Sequence, residues 1–181
     1  MLIAKVNPTG IDESISKIQS RIYSLLTTKY GWTNYECYPR VYLNPREDGL
    51  IPEYYQGKNE YKDVLYNDKF NVTSFFIVGG TRSYVGGKFT QKISLIFQAD
   101  ITKLYTSIPH RADEEMHRDI YLSVNKTVWN QYITSIITGL DQVFNDVNIP
   151  SKMKEKLKIK DMSNYHIVKI DLEVPFEYCC C

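Results

Sequence analysis

The chain has 181 residues, 43% of them hydrophobic, and carries 22 basic against 21 acidic side chains for a net charge of +1. A chain of this length is expected to form one domain that buries roughly 70% of its unfolded surface, and the composition excludes wholesale disorder. The balanced charge excludes strong long-range attraction of the whole chain to nucleic acid or to an anionic membrane, and no stretch approaches the ~20 apolar residues of a spanning helix.

The first ten residues lack the basic start and long apolar run of a secretion signal. The two glycosylation sequons, Asn71-Val72-Thr73 and Asn125-Lys126-Thr127, are therefore read as coincidental. Ile11, Ile15, Ile18, Ile22 and Leu25 recur at helical spacing and predict an amphipathic helix. Thr9 and Asp12 suggest a capping box at its start, and Gly31 a stop at its end.

Residues 35–43 read as a strand, with Pro39 marking an edge or bulge. Residues 44–62 read as a long polar loop rich in turn chemistry: Asn44-Pro45, Asp48-Gly49, Pro52 and Gly57. A loop of that length in a compact domain is usually functional, and this one carries Tyr54, Tyr55 and Tyr61. Tyrosine covers much area at low rotamer cost, so these three are candidate partner contacts.

Residues 71–78 and 89–101 read as two strands from their β-branched and aromatic content. The glycine-rich residues 79–87 between them form the expected tip of a long hairpin, with Arg82, Tyr84 and Val85 as contact candidates. A helix is expected after Pro109, with Asp113, Glu114 and Glu115 at its positive end and Met116, Ile120 and Val124 along its apolar line. Trp129, Ile133, Ile136, Ile137, Leu140 and Phe144 continue at helical spacing, giving one bent helix or two with a break at residues 125–130. Residues 165–176 alternate as a closing strand, with Ile167, Lys169, Asp171 and Glu173 on one face. Cys179, Cys180 and Cys181 form a tail outside a single domain of residues 1–178, expected to stay reduced in a cytosolic setting.

No catalytic, cofactor or metal motif stands out. Gly87-Lys88 is followed by Phe89, and Arg82 stands where a phosphate-binding loop needs its first glycine. His110 and His117 are seven residues apart, twice the one-turn spacing of a chelating pair. Arg111, Asp113, Glu114 and Glu115 beside them read as a solvated helix start. Cys37 lies between tyrosines and reads as a small buried strand residue. Lys152, Lys154, Lys156, Lys158 and Lys160 alternate; as a strand they would put five ammonium groups on one face, able to track phosphates. With Glu155 and Asp161 diluting the field, a solvated or edge-protecting segment is the plainer reading.

The expected fold is therefore α+β: an antiparallel sheet with a long hairpin, packed against an N-terminal helix and one or two central helices, closing with a C-terminal strand. That element order, carried by residues 11–25, 71–101, 113–144 and 165–174, resembles the tail-terminator and tail-completion proteins of tailed bacteriophages. The Asn-, Lys-, Ile- and Tyr-rich composition is similar to virion proteins of phages with AT-rich genomes, such as the crAss-like group. The resemblance lies in architecture and transfers no individual residue. It implies a non-enzymatic virion protein without cofactor or membrane contact, built into a hexameric or dodecameric ring at the head–tail neck or tail. Its partners would be connector or portal-side and tail-tube proteins, with DNA passing through without sequence-specific binding. It would assemble in the host cytoplasm. Two other classes remain open: a small nucleic-acid-binding module using the five lysines, and an enzyme whose site assembles from distant residues.

Overall fold

The computed structural model describes residues 1–47, 49–65, 69–127, 132–144 and 164–178. The isoleucine spacing does produce the first helix. α1 spans Ile11–Thr28 and buries Ile11, Ile15, Ile18 and Ile22 on one face. Leu26, not Leu25, takes the fifth buried place, because it lies one turn of 3.6 residues beyond Ile22. The capping box does not form. Gly10 is the N-cap at φ 58 and offers no side chain, and Asp12 turns aside to Lys5 at 2.5 Å and Arg40 at 3.8 Å. A Cβ on Gly10 would stand 2.7 Å from the Tyr178 ring, so the residue's lack of a side chain also admits that close approach. Gly31 follows the last turn at φ 70, as a helix stop requires.

Five strands form the main sheet: β1 (Tyr35–Arg40), β5 (Val72–Val85), β6 (Lys88–Asp100), β8 (Tyr165–Phe176) and β7 (Tyr132–Thr138), in the order β1-β5-β6-β8-β7. Only β1 pairs in parallel, with β5; the remaining pairs are antiparallel. The N-terminal residues lie along β1, where Ile3 and Cys37 exchange backbone hydrogen bonds with their neighbours at 2.9 Å.

Three elements depart from the sequence reading. Residues 44–62 are a second sheet, not a loop: β2 (Tyr42–Arg46), β3 (Gly49–Gly57) and β4 (Glu60–Asp63) form an antiparallel meander. Gly49 and Gly57 bound β3, but Asn44, Pro45 and Pro52 lie inside strands, and the exposed outer face erases the apolar alternation that announces strands. Residues 132–138 are β7, not helix. A register shift between Ile133 and Ser135 sends Ile133 to one side of the sheet and Ile137 to the other, which imitates helical spacing. Short helices α2 (Ile101–Leu104) and α4 (Leu140–Val143) flank α3 (Asp113–Thr127), which carries the expected line Met116, Ile120 and Val124, all buried. Trp129 and the terminal cysteines lie outside the described residues.

Strand alternation sorts the core into two layers. α1 and α3 cover one face of the main sheet, over Tyr35, Phe76, Leu95, Phe97, Ile170 and Leu172. On the other face, Tyr38, Phe75, Ile96 and Ile167 pack beneath the small sheet and α4. The small sheet is held by a buried charge. Glu36 on β1 is 1% exposed; it accepts from the Tyr38 hydroxyl at 2.6 Å and from Lys62 of β4 at 3.2 Å. Lys62 also sits 5.1 Å from the centre of the Tyr38 ring, and Tyr54 packs on that ring at 5.5 Å. Replacing Glu36 with alanine strands the buried hydroxyl and releases β4; the expected loss is about 2 kcal/mol. Urea unfolding checks this, and an unchanged midpoint would show that the carboxylate contributes nothing.

Candidate interaction surfaces

The hairpin of β5 and β6 turns at Gly86 and Gly87, with φ of 60 and 85. Two successive positive values make the tight turn that matches strand twist, and glycine adopts them without strain. The tip is thus two residues, not the nine predicted: residues 79–85 are strand, and Arg82 to Val85 pair with β6 up to Lys88. A bulge between Val78 and Arg82 interrupts the ladder, and Gln91 fills it by donating to the Gly79 carbonyl at 2.6 Å.

The sequence-predicted contact residues divide here. Arg82 is fixed, not free: it donates to Gln91 Oε1 at 3.0 Å and to the Tyr178 hydroxyl, and lies 5.6 Å from the Phe176 ring centre. Phe89, Phe176 and Tyr178 form one aromatic cluster beneath it, with centroids 5.4 to 5.5 Å apart. Tyr84 leans on Phe89 at 4.9 Å yet remains 64% exposed. Val85 closes β5 beside the turn. On the small sheet, Tyr54 is spent on packing against Tyr38, whereas Tyr55 and Tyr61 face each other across β3 and β4 at 5.1 Å and stay open to solvent. The two groups lie on different sheets and do not form one patch. Lys152, Lys154, Lys156, Lys158 and Lys160 lie outside the described residues.

His117 does not partner His110. It meets His166 of β8, Nε2 to Nε2 at 2.7 Å, a contact that sequence spacing could not reveal because the two are far apart in the chain. Arg111 has only donors, so at 3.5 Å it faces an unprotonated Nδ1 on His166. His166 therefore carries its proton on Nε2 and donates to His117, whose own Nδ1–H points to Glu114 at 3.7 Å. Burial first, then the nearby His117 and Arg111, push the His166 pKa down to about 4, with Asp113 opposing weakly. His110 stands apart, 3.3 Å from Glu115. Beside the pair a cleft of about 410 Å³ is bordered by Thr102, Tyr105, Ile108, His110, Arg111 and Asn164.

Cys37 is buried, as expected, against Ser74 at 3.3 Å, and burial raises its thiol pKa, so it is not a poised nucleophile. Among the described residues no three His, Cys, Asp or Glu side chains converge as a metal site, and no helix is long and apolar enough to cross a membrane. The chain matches no family model, and no curated protein matches it in sequence.

Proposed function

We propose that this protein is a ring-forming structural component of a tailed-phage virion, placed at the head–tail neck or the tail terminus. The observation that carries the reading is the long β5–β6 hairpin, which extends beyond its β1 neighbour and holds Tyr84 outward over a braced aromatic cluster. Rigid strands that project an exposed tyrosine suit a contact between protein subunits better than they suit binding of a small molecule. The succession of α1, the β5–β6 hairpin, α3 and the closing β8 adds support, since these elements follow one another as in the phage family that the sequence resembles, although β2–β4 and β7 are not part of that pattern. In this role the subunits meet head to tail around a channel, and the ring offers one face to the connector side and the other to the tail.

The test removes the end of the hairpin while keeping its register. Deleting Tyr84, Val85, Lys88 and Phe89 leaves Ser83 and Thr90, already partners, on either side of the Gly86-Gly87 turn. The expected product keeps the circular dichroism of the parent and no longer forms rings with itself or on a connector, as read by light scattering and negative-stain images. A shortened protein that assembles like the parent would sink the proposal.

A further inference from the structure

Among the described residues, two edges of the main sheet stand open, and they are opposite edges. β1 covers β5 only as far as Phe76, whose carbonyl accepts from Val41 at 2.8 Å. Beyond that point β5 continues to Val85 with β6 on one side and, among the described residues, no backbone partner on the other. At the far side, β7 pairs among the described residues with β8 alone. At the hairpin end the sheet is therefore reduced to β5, β6 and β8.

The ladder alternation says which groups point outward. Val85 and Lys88 flank a two-residue turn and so exchange hydrogen bonds. The next pair, Tyr84 and Phe89, does not, which turns the Tyr84 N–H and C=O away from β6; Arg82 follows in the same phase. On β7, the Gly139 N–H bonds the Ile167 carbonyl at 3.2 Å, so the adjacent pair Thr138–Val168 is unbonded, as is Ile136–Ile170. Ile136 and Thr138 thus aim their backbone groups outward. Each edge carries one bulge, between Val78 and Arg82 on β5 and between Ile133 and Ser135 on β7, but beyond it Arg82–Val85 and Ser135–Thr138 run regularly, without lysine or proline. β7 reads Tyr-Ile-Thr-Ser-Ile-Ile-Thr, without charge or proline, and its Ile136 is 44% exposed. The free stretch of β5 has one charged side chain, Arg82, which is folded back onto Gln91 and Tyr178.

The two edges also suit each other. β5 and β7 run in opposite directions within the sheet, so joining one copy's β5 to the next copy's β7 makes an antiparallel ladder. Measured along β6, the free part of β5 lies opposite residues 88–93, and β7 lies level with residues 92–97. The centres differ by about four residues, or ~13 Å, over four strands spanning ~19 Å. That stagger corresponds to strands tilted by ~35°, at the lower end of the 35–45° of closed barrels.

We infer that copies of this chain join by antiparallel pairing of β5 residues 78–85 with β7 of the next copy, forming a continuous tilted sheet around the ring. This rests on the ring reading above and names its contact. The contact is heterologous, uses both open edges of every copy, and closes by rotation.

The test uses the full chain. Tyr84→Pro and Ile136→Pro each delete an outward N–H without touching the ladder inside the subunit. Light scattering should find assemblies for the parent and folded monomers for both proline variants. Assemblies that survive both prolines overturn the edge pairing and leave the ring reading standing. A parent that stays monomeric at every concentration also overturns self-pairing, and the connector assay then decides the ring separately. Hydrogen exchange on the parent guards against a proline variant that fails to fold. The Tyr84 and Ile136 amides should exchange at least tenfold more slowly in the assembly than in diluted monomer, and equal rates in the two would refute the pairing.

Discussion

Replacing Phe97 with alanine is expected to lower the unfolding free energy by about 3 to 5 kcal/mol, the range for truncating a fully buried aromatic side chain. Phe97 is 0% exposed at the middle of the sheet, where β6 lies between β5 and β8. Its ring meets the Trp32 indole edge-on at 6.0 Å, and Trp32 meets Tyr35 at 5.9 Å, so the cavity would open beneath both helices and could not collapse without moving α1. Trp32 is also tied down through its indole N–H to the Tyr105 hydroxyl at 3.2 Å, which donates to Asp119 of α3 at 2.8 Å. At about 2 to 4 °C per kcal/mol for a chain of this size, the melting temperature falls by roughly 6 to 20 °C. Calorimetry on the variant checks it; a drop of only a degree or two would mean that this part of the core repacks freely.

Acid will destabilise the protein through the His117–His166 contact in a defined window. The His166 pKa falls from 6.5 to about 4 in the folded state, so between these values the unfolded chain binds the extra proton and the folded one does not. Stability is fully present above pH 6.5, declines as the pH falls, and loses on the order of 2 to 3 kcal/mol by pH 4 from this group. Burial is the first cause, and the contacts add to it: both His166 nitrogens are engaged, one by His117 and one by Arg111, and a proton on Nδ1 would face the guanidinium. Urea midpoints across that range, compared with those of His166→Gln, isolate the contribution. A variant with the same pH slope as the parent would remove the histidine pair as the cause.

How much was legible in the sequence follows from what each element buries. α1, β5, β6, α3 and β8 each place a long apolar line against one layer, and their spacing announced them. The small sheet buries little more than Leu43, Leu50, Tyr54 and Val64 beneath it, so turn residues dominated its pattern and it read as a loop. β7 was misread because one register shift rephased its isoleucines. Of the contact candidates, Tyr55, Tyr61 and Tyr84 do stand at the surface, but Tyr54 and Arg82 are held by partners that lie far along the chain. The His117–His166 meeting belongs to tertiary pairing alone, since neither residue has a local signal. The open edges were equally invisible, because they depend on where β1 stops alongside β5.

The strand order has a consequence for how the molecule comes into being. β8 is the last of the five strands along the chain, yet it lies between β6 and β7, bonded to both. While the ribosome adds ~5 to 20 residues each second, everything through β7 emerges before the strand that must join it to the rest. For those seconds the edge of β6 that β8 covers is unpaired, and β7 lacks the strand to which it bonds. The final step of folding is thus an insertion across many intervening residues, slow by its topology and exposed to capture by a second nascent chain. A chaperone that shields β6 until residues 165–176 arrive is expected to raise the yield of the protein.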